Sequence, residues 1–196
     1  MRPLFFLITL ILFLLPLSGW SGEWEGKLRI SEYHPTHKFR KIYGNWMSQY
    51  QIEGSRKILQ DWKLWTNATW MQKKGHSEGL HNDTKLYLIP LSLGLKRSFC
   101  FNDQFQLYLG AGASYAFLHI RDHSSHVIKH SSKQGFGAVF KSGIYFPFAN
   151  CFFFDLFADY LYQPFHFSKR HHSPRVERHS INAGGWSLGI GIGVRL

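Results

Sequence analysis

The last twelve residues, Gly185-Trp-Ser-Leu-Gly-Ile-Gly-Ile-Gly-Val-Arg-Leu196, alternate between large apolar side chains and small or polar ones. Because successive side chains of a strand point to opposite faces, this stretch predicts a strand with one apolar face and one nearly bare face. Such a strand is typical of a membrane barrel, whose apolar face meets lipid while the other meets a crowded interior. The rest of the chain shows whether this interpretation extends beyond one strand.

Seven earlier segments alternate in the same way or nearly so: residues 25–33, 47–59, 62–73, 84–96, 104–120, 135–146 and 152–165. Most are long enough to cross a bilayer as tilted strands, which need about 9–11 residues. Short connections at 60–61, 99–103 and 147–151 alternate along the chain with long polar ones. The pattern predicts an all-β fold, an eight-stranded antiparallel transmembrane β-barrel of up-and-down meander topology, with turns at one end and loops at the other. A soluble lipocalin-like barrel is the alternative, and it would have the opposite distribution of faces.

The first 22 residues differ from the rest of the chain. Arg2 precedes an apolar run over residues 4–17, and small residues follow at 18–22. This pattern predicts a secretory signal peptide, with an uncleaved membrane anchor as the alternative. We therefore expect a signal peptide over residues 1–22 and an outer-membrane β-barrel domain over residues 23–196, in the outer membrane of a Gram-negative bacterium. Export argues against nucleic acid as a partner, although the formal net charge is +11.

Strand parity also places charged side chains inside the barrel. The predicted polar network of the lumen consists of Glu53, Lys63, Lys96, Lys141, Asp155, Asp159 and Arg195. Pairing about the turn at 147–151 sets Lys141 nearly opposite Asp159, which predicts a buried ion pair. An eight-stranded barrel has room only for side chains or one small ligand, so a packed polar plug is the expected arrangement. A narrow solute path through the same groups is the alternative.

The whole chain after residue 22 resembles the small eight-stranded outer-membrane barrels, the superfamily of OmpA-type, OmpX and OmpW-like domains. The most specific part of the resemblance is the C-terminal assembly signal, to which Gly191, Val194 and Leu196 correspond. Leu196 stands where these proteins usually end in an aromatic residue. The resemblance implies insertion by the outer-membrane assembly machinery and a bilayer of outer-membrane lipids and lipopolysaccharide, but it implies no single activity.

The histidines all fall in the predicted loops or at the loop-side ends of strands: His34, His37, His76, His81, His119, His123, His126, His130, His166, His171, His172 and His179. Together with neighbouring lysines and arginines they make one mouth of the barrel basic, which suits an anionic surface ligand. A solvated loop surface without a ligand is the alternative. Capture of a metal by His123, His126 and His130 has little support, because carboxylate and thiolate partners are missing from that loop pattern, and we expect neither a metal nor a cofactor.

Two further motifs need weighing. Some eight-stranded barrels deacylate lipid A with a His-x-Ser pair and a carboxylate, and His166, Ser168 and Glu177 have that order here. Short His and Ser combinations are common in this chain, so an enzyme is the last alternative. Cys100 and Cys151 fall at turns of different hairpins, which favours two free thiols over a disulfide.

The favoured function is a non-enzymatic structural or surface-binding role, with an OmpW-like channel for small solutes as its rival.

Overall fold

The computed structural model describes residues 23–36, 40, 44–76, 83–102, 104–122, 130–148, 150–168 and 178–196. Ten strands lie in these ranges: β1 Trp24–Pro35, β2 Met47–Lys57, β3 Trp62–His76, β4 Asp83–Asn102, β5 Phe105–Asp122, β6 His130–Pro147, β7 Phe152–Tyr162, β8 Pro164–Ser168, β9 Arg178–Asn182 and β10 Gly185–Arg195. The predicted signal peptide lies outside the described residues. In the part of the chain that is described, no helix is long and apolar enough to span a membrane.

Eight of the strands close into one antiparallel barrel, in the order β1-β10-β7-β6-β5-β4-β3-β2. Each barrel strand pairs with the barrel strands that come before and after it in the sequence. The one exception is the seam at which the last strand, β10, pairs with the first, β1. That seam runs from Glu25 opposite Arg195 to Pro35 opposite Gly185. The predicted fold, an eight-stranded up-and-down barrel closed by the last strand, is therefore confirmed.

The outer wall of the barrel is apolar and the inner wall carries the charges. Leu28, Ile52 and Ile190 on the outside are all about 60% exposed, whereas Lys96 and Glu53 on the inside are buried. A continuous exposed apolar surface of this extent is typical of a protein that sits in lipid. A soluble barrel with the opposite faces is excluded.

Two elements differ from the sequence prediction. Strand β4 continues to Asn102, so most of the turn expected at 99–103 is strand, because Phe99 pairs with Leu107 and extends the outward parity of β4. Strands β8 and β9 form a second, two-stranded sheet between β7 and β10, whereas the alternation predicted a single seventh segment over residues 152–165 with a loop after it. Phe165 of β8 is 1% exposed and belongs to the apolar cluster at the loop-side end, so this hairpin packs over the barrel.

Candidate functional site

One carboxylate, that of Glu53 on β2, organises the charged interior. It lies 2.7 Å from Lys27 Nζ, 2.7 Å from Lys141 Nζ and 2.9 Å from Lys96 Nζ. Arg29 Nη1 is 3.2 Å away. All these side chains are buried, and charge-assisted contacts of this length are the strong class of hydrogen bond. Glu53 thus neutralises cations from three other parts of the barrel wall: β1, β4 and β6.

Two aspartates on β7, Asp155 and Asp159, contact some of the cations that also contact Glu53. Arg29 Nε donates to Asp155 Oδ2 at 2.7 Å, and Arg29 Nη1 lies 3.2 Å from Asp159 Oδ2. Lys141 Nζ is 3.4 Å from that same Asp159 oxygen. Lys141 and Asp159 are also directly opposite in the β6–β7 pairing. The guanidinium of Arg29 therefore bridges β2 and β7 across the interior.

A second carboxylate, Glu25, gathers the cations nearest the turn-side end. Lys63 Nζ donates to Glu25 Oε1 at 2.6 Å, and Arg195 Nε donates to the same oxygen at 2.9 Å. The Ser55 hydroxyl donates to Glu25 Oε2 at 3.2 Å. Arg195, which is partly exposed, also donates to Gln106 at 2.9 Å. These contacts tie the first and last barrel strands to β2, β3 and β5.

Together these groups form what we call the interior ion-pair cluster. Its members are Lys27, Arg29, Lys63, Lys96, Lys141 and Arg195, with Glu25, Glu53, Asp155 and Asp159. The cluster therefore holds six cations and four carboxylates. Among the described residues, Asp159 Oδ1 is one of six buried side-chain polar atoms for which no protein partner is recorded.

Aromatic side chains fill the space around the cluster. The Tyr108 and Tyr145 rings stack with centroids 4.4 Å apart. Tyr145 Oη accepts hydrogen bonds from Lys27 at 2.9 Å and from Lys96 at 3.1 Å. Tyr108 donates to Asp155 Oδ1 at 3.0 Å and also contacts Arg29. Both rings therefore supply packing as well as polar partners within the cluster.

An apolar layer lies in the loop-side half of the interior. Its buried members are Tyr33, Met47, Trp65, Met71, Leu86, Leu88, Ala116, Leu118, Val139, Leu161, Phe165 and Ala183. Tyr33 Oη donates to the Ala183 carbonyl at 2.5 Å, and Gln163 Nε2 donates to the Gly135 carbonyl at 2.8 Å. Between this layer and the ion-pair cluster, a cavity of about 20 Å³ lies beside Lys141 and Asp159. A space of that size holds about one water molecule.

All seven side chains predicted for the lumen lie in the interior ion-pair cluster. Sequence reasoning missed three members on β1, namely Glu25, Lys27 and Arg29. The signal was present, since Leu28 and Ile30 are the outward residues of that strand and the charged residues have the opposite parity. The apolar layer was missed as well. Leu86 and Leu88 have the inward parity of β4, but the prediction expected inward side chains to be polar or small.

Several solved structures have a similar fold. The outer membrane protein OprG from Pseudomonas aeruginosa superimposes with a TM-score of 0.67 at 15% identity, covering 90% of this chain and 96% of that one. Neisserial surface protein A (NspA) gives a TM-score of 0.59 at 15% identity, with 89% and 97% covered. Ail, the attachment invasion locus protein of Yersinia pestis, in complex with the heparin analogue sucrose octasulfate, gives 0.56 at 14% identity, with 90% and 100% covered.

The chain has the fold of the small eight-stranded outer-membrane barrels. No protein-family model matches the sequence, and a comparison with curated proteins finds no match either. At these identities the likeness is one of fold, so the activity of this barrel has to be argued from its own residues.

The C-terminal strand, β10, is fully paired within the barrel wall, with β1 on one side and β7 on the other. Gly191 pairs with Arg29 on one side and with Asp155 on the other. A side chain at Gly191 would meet the Arg29 side chain at 2.8 Å. Leu196 exchanges backbone hydrogen bonds with Trp24, at 2.9 and 3.1 Å, and is 82% exposed. The role of Gly191, Val194 and Leu196 as an assembly signal stays a prediction.

The remaining candidate residues contribute little to a site. Within the described residues no group of His, Cys, Asp and Glu could hold a metal, and His123 and His126 lie outside those residues. His166 and Ser168 lie in the separate β8–β9 hairpin rather than on a barrel strand, and Glu177 falls outside the described residues. Cys100 and Cys151 are free thiols.

Proposed function

We propose that this chain is an outer-membrane protein of a Gram-negative bacterium and that its barrel spans the bilayer with a filled interior. Its proposed role is structural or surface-binding, without enzymatic activity. The observation that carries the proposal is the obstruction of the barrel interior. The interior ion-pair cluster blocks one half, the apolar layer blocks the other, and the cavity between them measures about 20 Å³. Among the described residues, such an interior stabilises the wall and favours a filled barrel over an open water path.

The partners that fit this proposal are those of the envelope. Outer-membrane lipids and lipopolysaccharide would surround the apolar wall, and the assembly machinery would bind the C-terminal strand before closure. At the loop-side end, Lys85 is exposed and the His119 imidazole contacts Ser132 at 2.7 Å. Basic side chains there suit an anionic surface ligand by charge. The complex of Ail with a sulfated sugar makes an anionic saccharide a reasonable first probe for this chain.

Two measurements test the proposal. Heat-modifiable gel mobility of the protein in an outer-membrane fraction should show a compact barrel, and the purified barrel in a planar bilayer should show no stable conductance steps. A protein found only in the soluble periplasm would contradict the location. Stable steps that disappear in Lys96→Gln or Lys141→Gln would contradict the filled interior, with Lys85→Gln on the outer wall as the control.

A channel for small solutes is the second candidate, and one observation favours it. The cluster has six cations and four carboxylates, so the interior carries an excess of positive charge. If the barrel conducts, we expect anion selectivity that falls when Lys96 or Lys141 loses its charge. The lipid A deacylase alternative would require mass loss from lipid A that is abolished in Ser168→Ala.

A further inference from the structure

A groove of about 700 Å³ runs along the outer wall at the seam between β4 and β5. Its lining includes Leu93 and Leu95 of β4 and Leu109, Ala111 and Ala113 of β5. This volume lies within the range of about 300–1,000 Å³ that is usual for small-molecule sites. Unlike the interior, the groove opens onto the surface that faces lipid.

The pairing of β4 with β5 explains the depth of the groove. Ala111 lies opposite Leu95 and Ala113 lies opposite Leu93, so short side chains stand beside long ones along the seam. Behind them the two backbones approach closely, since a side chain at Gly94 would come within 2.5 Å of the Gly112 Cα. The inner side of this strand pair is covered by the Trp65 ring, and the depression on the outer side follows from the pairing of short with long side chains.

Arg97 lines the turn-side end of the same groove. Its guanidinium lies 5.2 Å from the Phe99 ring centroid and 6.0 Å from that of Trp62. Its ion pair with Asp61 is long, at 3.6 Å, and both side chains are about half exposed. Exposed pairs of this kind contribute little, so an anion can compete with Asp61 for the guanidinium. The cation therefore remains accessible to an anion at the end of an apolar groove.

We propose that Arg97 and the β4–β5 groove bind one anionic phospholipid of the leaflet on the turn side. The inference rests on the proposed function in one respect, namely that the barrel spans a bilayer. The guanidinium donates to the phosphate, as arginine does in planar recognition of that group. Trp62 and Phe99 lie at headgroup depth, where aromatic residues concentrate, and an acyl chain runs over Ala111 and Ala113.

The test uses the full barrel in dodecyl maltoside micelles with added phosphatidylglycerol or phosphatidylcholine, and native mass spectrometry counts the lipids retained. The wild type should retain one phosphatidylglycerol in preference to phosphatidylcholine. Arg97→Gln should lower that preference about fivefold, the effect of one basic residue at an anionic lipid surface. The groove-filling double variant Ala111→Leu/Ala113→Leu should lower retention while leaving the charge unchanged.

Arg56→Gln is the matched control, because the Arg56 guanidinium also lies outside the barrel, 5.2 Å from the Trp24 ring, but does not line this groove. It should keep the wild-type preference, and inorganic phosphate should not displace the lipid. An equal loss in Arg56→Gln, or full retention in either groove variant, would overturn the proposal. Heat-modifiable mobility of each variant separates these results from a failure of the barrel itself: a folded variant that retains no lipid counts against the groove alone.

Discussion

Glu53 and Lys141 form an ion pair of 2.7 Å although their strands, β2 and β6, lie on opposite sides of the barrel. Three strands lie between them in either direction around the wall. The pair therefore spans the interior and connects two walls that share no backbone hydrogen bonds. Because Lys27, Lys96 and Arg29 contact the same carboxylate, removal of that one group affects the whole interior.

The first prediction concerns stability. Glu53→Gln should lower the free energy of unfolding by about 3–5 kcal/mol, because it leaves buried cations without their shared partner. A urea titration in lipid or detergent measures the change, with heat-modifiable gel mobility as the readout of the folded fraction. Glu23→Gln is the control, since its pair with Lys57 is exposed and 3.3 Å long and should contribute about 0–1 kcal/mol. A loss in Glu53→Gln no larger than that of the control would contradict the central role of Glu53.

A second prediction tests the close approach of β4 and β5. A methyl group at Gly94 would lie 2.2 Å from the Ala111 carbonyl oxygen and 2.7 Å from the Trp65 ring. Gly94→Ala should therefore destabilise the barrel by about 1–3 kcal/mol through overpacking. At Gly26 the nearest atom, in Val194, is 3.9 Å away, so Gly26→Ala should be close to neutral. Equal stabilities of the two variants in the same urea titration would show that β4 and β5 can move apart to accommodate the added methyl group.

Barrel closure gives the third prediction. Ile30 and Ile190 are direct partners in the β1–β10 pairing, and paired positions lie within the Cα distance of about 7 Å that a disulfide needs. In a background with Cys100→Ser and Cys151→Ser, the variant Ile30→Cys/Ile190→Cys should oxidise to a cross-linked barrel visible by mass and gel mobility. The offset variant Ile30→Cys/Val194→Cys should not. Equal cross-linking of both would refute this register.

The native thiols supply a fourth prediction, on orientation. Cys100 is exposed and Cys151 is partly exposed, and both lie at the turn-side end. If the turns face the periplasm, a membrane-impermeant maleimide should not label either thiol in intact cells. Labelling should appear once the outer membrane is permeabilised. Rapid labelling in intact cells would mean that the barrel is inserted the other way round or is not in the outer membrane.

The architecture was predictable because one face of each barrel strand must suit lipid. The parity of Trp186, Leu188 and Ile190 defines β10, and the same rule gives the inward position of Lys141 and Asp159. That rule predicted a seventh segment over residues 152–165 and did not predict the β8–β9 hairpin, which continues the β7–β10 pairing past the hydrogen bond from the Ala183 N–H to the Gln163 carbonyl. Its Phe165 is buried against the apolar layer, a contact that no local pattern encodes.

The candidate site was only partly predictable. Inward parity gives the list of charged residues, but it cannot say which cation contacts which carboxylate across the interior. That choice depends on the vertical offset of strands around the barrel, which brings Lys27 and Lys96 to the same oxygen of Glu53. The hydroxyl groups of Tyr108 and Tyr145 join the cluster for the same reason.

The seam between β1 and β10 also sets an order of events. Glu25 and Arg195, which meet at 2.9 Å, lie 170 positions apart along the chain. Contacts of such long sequence separation form late, because the ends of a long loop must first be brought together. Lys27 and Arg29 of β1 therefore become fully buried only when β10 pairs with β1. The rate of that pairing step should limit how fast the native barrel forms.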